Sequence, residues 1–150
     1  MLLHGVFDAA GLKGLESKNA SALFVMEGRP SLHAAHDNIR ALIKLGKKPT
    51  VICDNMAGFL FYKDLINEVR LACQFADDNG ALCDTGALIL GVLARWHKVP
   101  VTVVPGKCKP RFLGDPKDTL TFQKKTVAPQ GTQSYAPLLE WLPRKYITGH

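Results

Sequence analysis

The sequence predicts an α/β fold, a mainly parallel sheet covered by helices, and three observations predict it. Short apolar runs alternate with stretches of helical spacing from residue 22 to residue 106. The joints between them are short, which suits strand–helix–strand units. The apolar runs are nearly continuous rather than alternating, as expected of strands buried on both faces.

The elements follow in order. Residues 6–18 hold weak helical character, because Gly11 and Gly14 work against it. "ALFVMEG" (22–28) is bounded by polar residues and reads as a strand. "RPSLHAAHDNIRALIKLG" places Leu32, Ala35, Ile39, Leu42 and Ile43 at helical spacing, with Pro30 suited to a first turn and Gly46 to a C-terminal cap. "KPTVICDN" returns to strand character, "MAGFLFYKDLI" to helix and "EVRLACQFA" to strand. The polar turn Asp77-Asp78-Asn79-Gly80 follows. "DTGALILGVLARWHK" is then a helix, apolar nearly all round, which implies deep packing or a subunit contact. Arg95, His97 and Lys98 close it, matching the negative end of the helix dipole. "VPVTVVPG" completes the pattern as a strand.

Residues 1–106 form one domain by this reading, and 107–150 a basic, Pro-rich extension that docks on it. The extension is expected to be mostly irregular, with a short piece near "APLLEWLP" docking through Trp141. Charge divides the same way. Residues 1–106 carry 11 Lys/Arg against 10 Asp/Glu, and 107–150 carry 8 against 3. A loosely ordered tail explains this excess, and a polyanion-binding arm is the alternative.

A chain of 150 residues with 47% hydrophobic and 21% charged residues is of globular composition. No apolar run reaches membrane-span length, and the first residues lack a signal-peptide pattern. The cysteines at 53, 73, 83 and 108 form no C-x-x-C pair. A disulfide framework, a metal site and a cofactor are not expected, and a cytoplasmic location is. His33 and His36 share a helix face without a third ligand. Cys83, near a helix start, reads as an inert thiol.

In an open parallel sheet, ligands bind where the carboxyl ends of strands enter the following helices. Three such ends carry polar residues: Glu27-Gly28-Arg29, Asp54-Asn55, and Asp77 to Gly80 followed by Asp84-Thr85-Gly86. Arg29 can bind an anion through its planar fork or pair with Glu27 or Asp54. Asp54 and Asp84 are candidate acid/base groups, or helix caps. The N–H groups around Thr85 and Gly86 can cradle a phosphate, although Asp84 beside it would repel one. Asn79-Gly80 also reads as an ordinary tight turn. No phosphate-binding P-loop, dinucleotide fingerprint or nucleophile elbow is present.

"EGRPSLHAAHDNIRALIKLGKKPTVICDNMAGFLF" and "DDNGALCDTGALILGVLARWHKVPVTVVPG" resemble two segments of the methylthioribose-1-phosphate isomerases and the regulatory subunits of initiation factor 2B. The resemblance runs over about residues 22–106 and implies a Rossmann-like three-layer sandwich, a sugar-phosphate or nucleotide ligand, and dimers through this domain. It puts Arg29, His33, Asn55, Asn79, Gly80 and Thr85 among substrate-contacting positions. It also implies departures. The isomerases use a Cys and an Asp; Gln74 stands at the Asp position, and "LLHG" offers Gly5 where the Cys is expected. His33 replaces a Gln, and Asp84-Thr85 replaces an Asn-Lys pair. The family's N-terminal helical domain has no counterpart in residues 1–150.

Three functions are consistent with this. The first is a domain binding a phosphorylated small molecule without the usual isomerase catalysis. The second is a phosphosugar isomerase or hydrolase using Asp54 or Asp84. The third is a translation-associated or RNA-binding protein using the basic tail, ranked last because few aromatics stand among its lysines. A homo-oligomer, or a protein partner supplying the N-terminal domain, is expected to cover the open sheet edge; no membrane partner is.

Overall fold

A computed structural model describes residues 1–15, 22–107 and 111–149. Cys108 and part of the weak helix expected over 6–18 lie outside these residues. The strands are β1 (Leu2–His4), β2 (Phe24–Met26), β3 (Thr50–Ile52), β4 (Val69–Asp77), β5 (Gly80–Asp84), β6 (Val101–Pro105), β7 (Thr121–Phe122), β8 (Lys125–Thr126) and β9 (Leu139–Pro143). The helices are α1 (Ala9–Lys13), α2 (His33–Lys44), α3 (Ala57–Tyr62), α4 (Ala87–Trp96) and α5 (Pro116–Leu120).

Strands β3, β2, β1, β4 and β6 lie side by side in that order and all run parallel. The alternation read from the sequence thus folds into an α/β, Rossmann-like sheet with helices on both faces. Successive strand residues divide between the two layers, as the two-residue period requires. Leu2, Met26 and Leu71 pack with Leu60, Phe61, Leu90 and Ala94 of α3 and α4. Leu3, Val25 and Ala72 pack with Leu12 and with Leu42 of α2 on the opposite face.

Local chemistry explains several boundaries. Asp8 caps α1 by accepting from Gly11 N at 2.6 Å. α2 begins at His33, later than expected: Pro30 sits in the preceding loop, after a cis Arg29–Pro30 bond, and Leu32 is left-handed at φ 60°. At its other end Lys47 N reaches Leu42 O across Gly46, whose φ of 73° favours glycine there.

Two parts of the chain depart from the sequence reading. Between the turn at 77–80 and α4 the chain forms β5, which runs back antiparallel along β4 with Cys73 opposite Cys83. Asp84 therefore ends a strand and does not cap a helix. In the extension, β9 joins the main sheet antiparallel to β5. Its buried side chains are Leu139 and Leu142, whereas Trp141 stays 39% exposed beside Phe75. The piece near "APLLEWLP" docks as a strand through its leucines. Residues 147–149 then run beside β6, where Thr148 Oγ1 accepts from Val101 N and donates to Val101 O.

No helix among the described residues is long and apolar enough to cross a membrane.

Candidate ligand site at the strand ends

The chain leaves β1 for β2 and β3 on one side and returns to β4 on the other. Such a reversal opens a crevice at the carboxyl ends of the central strands. A crevice of about 380 Å³ lies there, lined by His4, Met26, Asp54, Asn55, Thr85 and Gly86, with Ala57 and Gly58 of α3 and Ile89, Leu90 and Leu93 of α4. A second hollow of about 430 Å³ shares Asp54 and Asn55 with it and adds Glu27, Arg29, Cys53, Phe122 and Val127. Thus Arg29, Asp54, Asn55 and Thr85, 56 positions apart in sequence at the extremes, meet at one edge of the sheet.

His4 closes β1 and is buried. Its Nε2 lies 3.3 Å from Asp84 O and 3.1 Å from Thr85 O. Carbonyl oxygens only accept, so Nε2 carries a proton. The other ring nitrogen, Nδ1, and Thr85 Oγ1 are buried without a hydrogen-bond partner among the described residues. Buried polar atoms normally find partners, and both of these orphans belong to residues that line the crevice.

Asp54 does not cap the turn that follows it. Its Oδ1 accepts from Gly28 N at 2.9 Å and its Oδ2 from Arg29 N at 2.7 Å. Both carboxylate oxygens therefore hold the β2–α2 loop. Gly28 fits this bend because its φ is 71° and an added Cβ would stand 2.5 Å from the Cβ of Ala34. Glu27 is the perturbed carboxyl here. Burial and the nearby Asp54 charge raise its pKa, against the pull of Arg29 and a backbone hydrogen bond from Asp54.

Arg29 makes no ion pair with either neighbour. Its guanidinium stacks 4.4 Å from the Phe122 ring centroid, and Nη2 approaches Asp118 O at 3.5 Å. The extension thus folds back over the strand ends.

The start of α4 differs from the sequence reading. Gly86, at φ 109°, is its N-cap, and Glu140 Oε1 accepts from Gly86 N at 2.8 Å and Leu88 N at 2.7 Å. Thr85 N donates to Leu138 O. The amides expected to cradle a phosphate are occupied by the chain's own carboxylate and carbonyl.

The remaining residues lie apart. Asp84 is buried beside Gly5 but does not line the crevice. His33 is exposed at the start of α2. Asn79 and Gly80 form the β4–β5 hairpin tip, where Asp77 Oδ1 accepts from both backbone N–H groups. Gly80 is required there, since a Cβ would collide with Leu142 O. Among the described residues no three His, Cys, Asp or Glu side chains come together to hold a metal. Sequence reasoning missed Glu140 and Phe122, which no motif marks. It also passed over the Asn79-Gly80 pair as a hairpin signal between two apolar runs.

A sequence profile of the initiation factor 2 subunit family matches residues 12–150. A methylthioribose-1-phosphate isomerase of Desulforudis audaxviator is 31% identical over 96% of this chain and 44% of its own length. One from Thermus thermophilus is 28% identical over 85% and 42%. The chain therefore spans less than half the length of these relatives. Among solved structures, translation initiation factor eIF-2B subunit delta from A. fulgidus superposes with a TM-score of 0.74 at 19% identity, over 85% of this chain and 40% of its own. The 5-methylthioribose 1-phosphate isomerase of Pyrococcus horikoshii gives 0.71 at 24% identity, over 83% and 39%. These likenesses show the fold.

Proposed function

Because this chain belongs to the initiation factor 2 subunit family, we propose that its strand-end crevice binds a phosphorylated small molecule, a sugar phosphate or nucleotide, without the catalysis of the isomerases. The observation that carries this is the pair of buried, unpartnered polar atoms, His4 Nδ1 and Thr85 Oγ1, on residues lining a crevice at the fold's ligand position. Arg29 is the anion ligand. Stacking on Phe122 uses the face of its guanidinium, and beyond the N–H that Nη2 gives to Asp118 O the edge keeps further N–H groups for a phosphate. His4, Asn55 and Thr85 meet the hydroxyl-bearing part.

Loss of the usual catalysis is supported at both positions named by the resemblance. A Cβ at Gly5 would lie 3.0 Å from Ala72 Cβ and 3.4 Å from Asp84 Cγ, on a backbone at φ 85°. That position does not accept a nucleophile's side chain without strain. Gln74 lies at the irregularity in β4 between Cys73 and Phe75, is not among the residues lining the crevice, and as a neutral amide cannot supply a proton as a carboxyl does.

The test is a thermal-shift panel of sugar phosphates, nucleotides and inorganic phosphate on the wild type and Arg29→Ala. A compound at about 100 times its dissociation constant adds roughly 2.7 kcal/mol, a clear rise that the variant abolishes. No rise with any compound overturns the proposal.

An enzymatic reading is favoured by Glu27 rather than by Asp54 or Asp84. Its carboxyl lines the hollow beside Arg29, and its pKa is raised by burial and the Asp54 charge, the direction that proton donation near neutral pH calls for. Turnover of a bound ligand by the wild type, lost in Glu27→Gln, would establish it.

A homo-oligomer is part of the proposal. α4 buries Ala87, Leu90, Gly91 and Ala94 but leaves Ile89 67% and Trp96 84% exposed, and α3, packed against α4, leaves Phe59 and Tyr62 exposed. An apolar stripe of this kind suits a subunit contact. The free thiols of Cys53, Cys73 and Cys83 support a cytoplasmic setting.

A further inference from the structure

A cleft of about 290 Å³ lies at the other end of α4, lined by Arg95, Lys98, Val99, Pro100, Lys145, Tyr146 and Thr148. Three of these seven side chains are cations and none is a carboxylate. They come from two separated parts of the chain, α4 with its following turn and the 3-10 turn Arg144–Tyr146. Arg95 and Lys145 flank the Tyr146 ring, 6.0 and 5.1 Å from its centroid. None of the three cations makes an ion pair among the described residues, and Glu68, the residue just before β4, is taken by Arg70 at 2.6 Å.

The helix dipole explains only part of this. The end of α4 carries about half a negative charge, against three positive ones, and Lys145 is not on the helix. Lys98 adds a second sign. Val99 N closes on Ala94 O at 2.8 Å around a left-handed Lys98 at φ 56°, the position that glycine or asparagine usually occupies. A lysine there is held in a conformation that glycine adopts without penalty, and it lines the cleft. Like charges brought together repel, and an anion between them relieves that repulsion.

We propose that Arg95, Lys98 and Lys145 form a phosphate-binding site, separate from the strand-end crevice, that takes the phosphate of a nucleotide or of a single-stranded RNA. Arg95 gives one guanidinium N–H to Lys145 O at 3.3 Å and has the rest of its fork for the ligand.

The experiment titrates the full chain with inorganic phosphate, AMP and a ten-residue oligouridine at about 20 mM salt, where screening is weak. The variants are Lys98→Gly and the double variant Arg95→Gln, Lys145→Gln. Lys98→Gly removes the cation and relaxes the backbone, so it folds at least as stably while affinity falls about tenfold or more. Binding of phosphate or AMP that weakens in both variants assigns the site to small phosphates. Binding of the oligouridine alone, weakened likewise and falling with salt at a log–log slope of about −2 for three contacts, assigns it to RNA. No binding of any probe, or binding that both variants keep, overturns the proposal.

Discussion

Glu140 holds Gly86: its Oε1 accepts from the Gly86 N–H at 2.8 Å, and the same oxygen accepts from Leu88 at 2.7 Å. A carboxylate from the last strand of the sheet thereby sits where the positive end of α4 would otherwise draw an anion. Replacing Glu140 with Ala leaves both amides to solvent and lowers unfolding free energy by about 1–3 kcal/mol. Urea denaturation of Glu140→Ala beside Glu140→Gln measures it, with Gln keeping part of the loss. Sulfate is expected to stabilise the Ala variant more than the wild type, because the vacated amides then accept an anion.

Asn38 is fully buried on α2, with Oδ1 accepting from Phe7 N and Nδ2 donating to Gly5 O at 2.8 Å. It ties the loop after β1, one wall of the strand-end region, to the helix beneath. Asn38→Ala strands a buried N–H and a buried C=O, each costing about 1–3 kcal/mol. The melting temperature should fall sharply. A variant as stable as wild type would show that these groups find other partners.

Glu27 gives a dependence of stability on pH. Its folded pKa is above the ordinary glutamate value, chiefly through burial and then the Asp54 charge. Between the unfolded and folded values the native state holds more protons, so this group makes stability fall as pH rises through that window. Glu27→Gln is therefore expected to stabilise the protein at neutral pH. The gain should fade below about pH 4, where both states carry the neutral acid. A gain that persists unchanged in acid would rule out this origin.

Burial pushes the Cys83 thiol far above the ordinary thiol range, and Cys73 shifts the same way for the same reason. Native-state alkylation at pH 8 followed by peptide mapping should modify Cys53 while sparing Cys73 and Cys83, because the thiolate is the reactive form. Equal labelling of all three would mean that the β4–β5 hairpin opens readily.

Trp96, Val92 and Ile89 stand on one exposed stripe of α4. If a second copy covers it, Trp96→Glu should convert the assembly to monomer in sedimentation runs, with little effect on folding because the side chain is exposed. A wild type that is already monomeric removes the stripe from the oligomer proposal.

Much of the sheet could be read along the chain. Ala35, Ile39 and Leu42 mark α2 by spacing alone, Gly46 marks its end, and the runs around Val25, Val51, Leu71 and Val103 become four parallel strands. The strand-end rule then brought Arg29, Asp54, Asn55 and Thr85 to one edge. It failed for Asn79 and Gly80, because it took one turn for a strand–helix joint. β5 has only five residues between the turn and a helix start, so along the chain its short apolar run reads as part of the joint into α4. Glu27 was legible as a polar strand end but not as a perturbed carboxyl, since its shift depends on burial and on Asp54, 27 positions away.

The sequence by itself determined the alternation of parallel strands and helices between 22 and 106, β5 apart, and the edge at which polar residues collect. Those features depend on periodicity and capping, which act within a few residues. Only the tertiary structure decided that residues 139–143 form a sheet strand, that Glu140 rather than a ligand caps α4, and that Lys145 joins Arg95 and Lys98. Those outcomes depend on which surfaces meet across about fifty residues of chain. The free energy of such pairings comes from shared burial and desolvated charge, quantities that no local stretch of sequence contains.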